Sequence, residues 1–155
     1  MSFSIPPEYV ATKTAIRDFV QQELEPYAEE VETANRIPDA ILEKMKKKGF
    51  FGLALPKSYG GGGMGKLQLC MVEEELAKTH FAFLDIISLN NGLGSKSIVL
   101  DGSEALKQKY LPRLATGELI SAFALTEPNA GSDAAGITTT AVRQDGRFVL
   151  NGMKH

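Results

Sequence analysis

Ala124-Leu125-Thr126-Glu127-Pro128-Asn129-Ala130-Gly131-Ser132-Asp133 is the stretch on which the reading of this chain turns. A run of strand-forming residues, Leu119 to Leu125, leads into it. Pro128 has no amide hydrogen to give to a sheet ladder, so the strand is expected to stop there. The residues that follow are small and polar. Such a loop can bring backbone N–H groups, a hydroxyl and a glycine close to a bound anion or a flat polar ring. By residue type alone it reads first as an ordinary surface turn, because Asn, Gly, Ser and Asp are what turns are made of.

The complete string, Thr126-Glu127-Pro128-Asn129-Ala130-Gly131-Ser132-Asp133 after a short apolar strand, resembles the flavin-binding loop of the acyl-CoA dehydrogenases. The resemblance extends to Leu55-Pro56-Lys57-Ser58-Tyr59-Gly60-Gly61, to Lys107-Gln108-Lys109-Tyr110-Leu111-Pro112 through Gly117, and to Asn151-Gly152-Met153-Lys154. It covers most of the chain, and together these motifs are far more specific than any one of them. It implies a mostly α fold: an N-terminal helical bundle over residues 1–117, then the first strands of an incomplete β-barrel-like domain over 118–155.

Working back from that loop, the first 117 residues carry helical signals. Pro6-Pro7 opens a helix whose Ile16, Phe19, Val20, Leu24, Tyr27 and Val31 step by three and four along one face, and Pro26 should interrupt it. Glu23, Glu25, Glu29, Glu30 and Glu32 read as its solvated faces. A second helix begins near Pro38-Asp39, with Ile41, Leu42 and Met45 as its apolar stripe. Lys44, Lys46, Lys47 and Lys48 complement the dipole at its end, and Gly49 stops it. Leu67 to Lys78 reads as a helix with Leu69, Cys70, Val72, Leu76 and Ala77 apolar and Glu73-Glu74-Glu75 facing out or capping. Phe81 to Leu100 is apolar nearly all round, the pattern of a helix buried at a bundle centre. Asn90-Asn91-Gly92 is a possible break, whereas the resemblance implies a continuous helix with Gly92, Gly94 and Ser95 admitting close neighbours. His80 reads as a helix-end residue, and Ser103 as the N-cap of a last helix with Glu104 in its first turn.

The glycine run Tyr59-Gly60-Gly61-Gly62-Gly63-Met64-Gly65-Lys66 mimics two nucleotide motifs. Gly60, Gly62 and Gly65, with Asp85 about twenty residues on, match a dinucleotide fingerprint. Four residues, Pro56 to Tyr59, separate it from any strand, and Asp85 lies inside an apolar run. The P-loop version fails at Leu67, where a Ser or Thr is required.

Beyond the motif, Ile137 to Val142 is β-branched, Asp145-Gly146 is a hairpin turn into Phe148-Val149-Leu150, and Asn151-Gly152 reads as a second such turn. A turn there promises a further strand, so the chain reads as part of a longer protein. The 155 residues carry a net charge of −2, which argues against nucleic-acid binding. The N-terminus lacks a signal-peptide pattern, no apolar run has the length of a bilayer span, and the single Cys70 suits a reducing compartment. A cytoplasmic location is therefore expected.

The resemblance supplies a chemistry. It implies FAD as cofactor and an acyl-CoA thioester as substrate. A carboxylate takes the α-proton, the β-hydride passes to the flavin, and a trans-2-enoyl-CoA results. Carried over by position, Phe123 to Ser132 would line the flavin. Leu125 and Thr126 would bond the pyrimidine end of its ring, Gly131 and Ser132 would approach its pyrophosphate, and Ser132 would also touch the acyl-CoA. Phe123 stands where an aromatic hydroxyl is common, and Asn129 where Gly is frequent, which hints at an αL backbone. Glu127 reads as structural, bonded to loop N–H groups. The base would come from a C-terminal helical domain, so no catalytic residue and no metal ligand is assigned, and the 155 residues alone are expected to be inactive. Electron-transfer flavoprotein or a similar acceptor, a place in fatty-acid metabolism and a homo-oligomer, usually a tetramer, follow from the family. An acyl-CoA oxidase, a flavin monooxygenase of the same fold, or a non-catalytic helical interaction module are the alternatives.

Overall fold

Proline and glycine set most of the helix boundaries. The computed structural model describes residues 5–155. Pro7 opens α1 (Pro7–Phe19), where its missing amide hydrogen is no loss. A π-helical turn (Val20–Leu24) and a 3-10 turn (Glu25–Tyr27) containing Pro26 then separate α1 from α2 (Ala28–Ala34), the interruption expected of that proline. Helix α3 (Asp39–Lys47) gives way to Gly49 at φ +76°, a conformation that suits glycine. Helices α4 (Lys66–Leu76), α5 (Phe81–Asn91), α6 (Leu93–Asp101) and α7 (Glu104–Thr116) complete the helical set. The Ser103 hydroxyl caps α7 by accepting from Leu106 N, and His80 Nδ1 caps α5 by accepting from Ala82 N.

The chain divides into two units, one reaching Ala122 and the other running from Phe123 to His155. In the first, α1 packs on α4, α4 on α5, and a buried 3-10 turn, Phe50–Gly52, touches α3, α5 and α7. Its core includes Phe19, Leu24, Ile41, Met45, Phe50, Phe51, Leu76, Phe83 and Ile87. Phe19 and Phe50 meet with ring centroids 5.3 Å apart. Each such side chain contributes about 1.5–3 kcal/mol on full burial. In the second unit β1 (Thr140–Gln144) pairs antiparallel with β2 (Arg147–Asn151) across the Asp145-Gly146 turn, where both residues have positive φ as a type I′ turn requires.

Several expectations are corrected. The helix expected to run unbroken from Phe81 to Leu100 breaks at Gly92, whose φ of −112° and ψ of −111° are not helical. It is not buried all round either, because Phe81, Leu93 and Leu100 are exposed. At the break, Asn90 and Asn91 turn their amides to the rest of the unit. Asn91 Nδ2 donates to Phe50 O and Ile87 O, and its Oδ1 accepts from Ala54 N. On α4, Met71 and Glu75 are buried while Cys70 faces out, as does Ala77 just past its end. Glu75 is tolerated there because Arg17 and Lys78 both bond its carboxylate. Leu119 to Leu125 forms no strand, since nothing among the described residues pairs with it. Asn151-Gly152 is not a turn: β2 ends there, and the segment continues until His155 N donates to Thr126 O at 2.9 Å.

The glycine run is a backbone clasp. Gly61 N, Gly62 N, Gly63 N and Met64 N donate to Pro56 O, Gly52 O, Leu55 O and Leu53 O. A Cβ on Gly61 would lie 2.2 Å from Leu55 O, and one on Gly62 would lie 2.9 Å from Leu53 O. The amides that a phosphate would need are already used, so the nucleotide-loop readings fall.

Candidate cofactor site

Pro128 closes a tight turn. Glu127 N donates to Ala130 O at 2.9 Å and Ala130 N donates to Glu127 O at 3.1 Å. Asn129 does not take positive φ, which excludes a type II turn and removes the expected αL conformation. With Pro128 at the first corner, a turn whose second corner keeps negative φ accepts most residues, so glycine is not needed there.

Glu127 organises everything around the turn. Its side chain is buried. Oε2 accepts from Thr138 N at 2.7 Å and Thr138 Oγ1 at 2.8 Å, while Oε1 accepts from Thr139 N at 3.0 Å, Lys154 Nζ at 2.9 Å and Thr139 Oγ1. Lys154 Nζ also donates to Leu125 O at 2.9 Å. Gly152 makes this possible, because a Cβ there would lie 2.1 Å from Thr139 Oγ1. The Thr139 hydroxyl first, then Lys154 and the Thr138 amide, hold the Glu127 carboxyl far below the usual carboxylate range. A carboxylate so stabilised and so fully bonded is a poor proton acceptor, and its role is structural, as expected.

This knot holds the loop while leaving its outer edge free. Phe123 and Leu125 are 46% and 39% exposed, large apolar side chains that present a surface for a flat ring. Thr126, Gly131 and Ser132 are exposed too. Among the described residues, no protein acceptor takes the amide hydrogens of Leu125, Thr126, Gly131 or Ser132. Nothing lies within 4 Å of where a Gly131 Cβ would be, so the backbone there is open to a close approach. Free donors beside exposed apolar side chains match a cofactor with a polar ring edge and an anionic tail, and these residues fit FAD. The five residues singled out from sequence fall in one loop, within the second unit. Sequence reading missed Thr138, Thr139 and Lys154 as partners of Glu127. The signal it had was a buried-type Glu inside a loop that needed donors, with two threonines and a lysine still unassigned.

Comparison with known proteins identifies the family. The acyl-CoA dehydrogenase N-terminal domain model matches residues 6–118, and the acyl-CoA dehydrogenase middle domain model matches residues 122–155. An acyl-CoA dehydrogenase of Bacillus subtilis is 37% identical over 95% of this chain and 39% of its own length. A caffeyl-CoA reductase–Etf complex subunit of Acetobacterium woodii is 42% identical over 89% of this chain and 37% of its own. The crystal structure of an acyl-CoA dehydrogenase complexed with FAD from Bacillus anthracis superposes with a TM-score of 0.86 at 36% identity, covering 97% of this chain and 26% of that one. The chain thus spans well under half the length of the relatives it matches. Among the described residues, no helix is long and apolar enough to cross a membrane.

Proposed function

From a chain that belongs to the acyl-CoA dehydrogenase family, we propose a protein that binds FAD at the loop Phe123–Ser132 and uses it to oxidise a saturated acyl-CoA to the trans-2-enoyl-CoA. The observation that carries this reading is the Glu127 knot, which fixes the loop and leaves the amides of Leu125, Thr126, Gly131 and Ser132 unpaired. Bound FAD would supply the two-electron chemistry as hydride acceptor. The chain's own residues bind and orient. The Leu125 and Thr126 amides and the Thr126 hydroxyl are read as donors to the ring edge. The Gly131 and Ser132 amides would meet the pyrophosphate, and Ser132 would also meet the acyl-CoA.

The helical domain is read as residues 1–117 and the opening of the β-domain as 118–155; the two family matches, over 6–118 and 122–155, favour a division in this region. No residue of these 155 is assigned as the base. The protein is read as cytoplasmic, as handing its electrons to an electron-transfer flavoprotein or a similar acceptor, and as a homo-oligomer. The likeness to the Acetobacterium caffeyl-CoA reductase subunit supports a second reading, reduction of an enoyl-CoA at the same bond.

Anaerobic mixing of the FAD-loaded gene product with saturated acyl-CoAs tests the proposal. Bleaching of the visible flavin band by a saturated thioester is expected. A flavin that stays oxidised with every saturated thioester, yet is reoxidised from its reduced form by an enoyl-CoA, would favour the second reading.

A further inference from the structure

We infer that Asn90, Gly94 and Ser121 form an anchor that presets the entry to the flavin-binding loop, which makes Asn90 and Gly94 positioning residues for cofactor uptake. The inference rests on the flavin reading above. Asn90 is fully buried at the end of α5. Its Nδ2 donates to Phe51 O at 2.8 Å and Leu114 O at 3.1 Å, which ties the buried 3-10 turn to the end of α7. Its Oδ1 does something different. It accepts from Ser121 N at 3.0 Å and Ser121 Oγ at 3.1 Å.

Ser121 lies in a segment without secondary structure. Among the described residues, its amide is the sole one from Ile120 to Ala124 that finds a protein acceptor. Phe123, where the loop begins, follows two residues later, within about 7 Å along the chain. The amide at the side-chain end of Asn90 is itself held at both nitrogen bonds, so Oδ1 is a fixed acceptor rather than a rotating one.

An independent feature selects the same residue. A Cβ on Gly94, one turn along in α6, would lie 2.1 Å from Ser121 Oγ and 2.5 Å from Ser121 Cβ. The missing side chain at Gly94 and the acceptor at Asn90 therefore specify one position for Ser121 from two sides. A merely well-satisfied core Asn would not need the glycine. Loop residues held before the ligand arrives lose less entropy on binding, so the anchor raises FAD affinity.

The test uses the complete gene product and reads FAD dissociation by titration together with the shape of the bound-flavin visible band, with far-UV circular dichroism as the folding control. Gly94→Ala is expected to weaken FAD binding about tenfold or more and to alter the bound-flavin band. Ser121→Gly removes the atoms in the way, so Gly94→Ala/Ser121→Gly should recover the affinity of Ser121→Gly alone. Should Gly94→Ala fail to fold, Ser121→Ala, which deletes one of the two bonds and adds no atom, should weaken binding about threefold. Wild-type affinity and spectrum in folded Gly94→Ala, or in Ser121→Ala, overturn the anchor while leaving the flavin reading intact. A wild-type protein that takes up no FAD overturns both.

Discussion

Replacing Glu75 with Gln should destabilise the helical unit at neutral pH and do almost nothing in acid. The Glu75 side chain is fully buried. Arg17 grips it with Nε and Nη2, each at 3.1 Å, Lys78 Nζ reaches both oxygens at 2.8 Å, and Lys13 Nζ stands 3.7 Å away. The Arg17 hydrogen bonds, against the opposing effect of burial and with help from Lys78, hold its pKa down from 4.5 to about 2. A carboxyl with a depressed folded-state pKa stabilises fully above its unfolded value. That contribution is lost as the pH falls from there through about 2. At about 1.4 kcal/mol per pKa unit the shift corresponds to about 3 kcal/mol. The Arg17 and Lys78 side chains are 45% and 50% exposed, so water screens them. About 1–2 kcal/mol should survive that screening.

Urea unfolding followed by far-UV circular dichroism measures it. Glu75→Gln should be about 1–2 kcal/mol less stable than wild type at pH 7 and within about 0.5 kcal/mol of it near pH 2. Acid also loosens the Glu127 knot, but it does so in both proteins, so that effect cancels in the difference. A difference independent of pH would mean that the buried shape of the side chain matters and its charge does not, and the ion-pair argument would be refuted.

Other outcomes are expected elsewhere. Lys154→Met removes the cation that bonds both Glu127 and Leu125 O; FAD titration should show about tenfold weaker binding, with the helical unit unchanged. Gly61→Ala forces a Cβ to 2.2 Å from the Leu55 carbonyl and should lower stability by at least about 2 kcal/mol in urea. Gly65→Ala meets nothing within 4 Å and should stay within about 0.5 kcal/mol of wild type. A phosphate-binding loop would instead lose ligand at both positions. Cys70 is exposed on α4, so a maleimide should label the folded protein without denaturant; protection until urea is added would contradict that placement.

Chain-local physics explains why so much of this protein could be read from residues alone. Pro7, Pro26, Gly49, Ser103 and the Asp145-Gly146 pair each act on the backbone within a few residues, and the structure puts helix starts, breaks and the hairpin where they stand. The loop Phe123–Ser132 was singled out differently: its residue types read only as a turn, and its contiguous string carried the resemblance to a flavin-binding loop. Periodicity failed where apolar pattern had to stand in for burial. Phe81 to Leu100 has the composition of a buried helix, yet Phe81, Leu93 and Leu100 are exposed and Gly92 divides it.

What only the tertiary structure decided is which distant groups pay off one another's polarity. Glu75 could go inside because Arg17, 58 residues away, came with it. Glu127 became the centre of the loop because Thr138, Thr139 and Lys154 converge on it, and Gly152 is a glycine for Thr139 rather than for a turn. The glycines at Gly61 and Gly62 serve the carbonyls of Leu55 and Leu53, so a string that reads as a phosphate cradle is closed upon itself. Backbone propensity acts through neighbours and is written in the sequence, whereas a buried charge or an unpaired amide is settled by whatever the fold brings within about 3 Å of it.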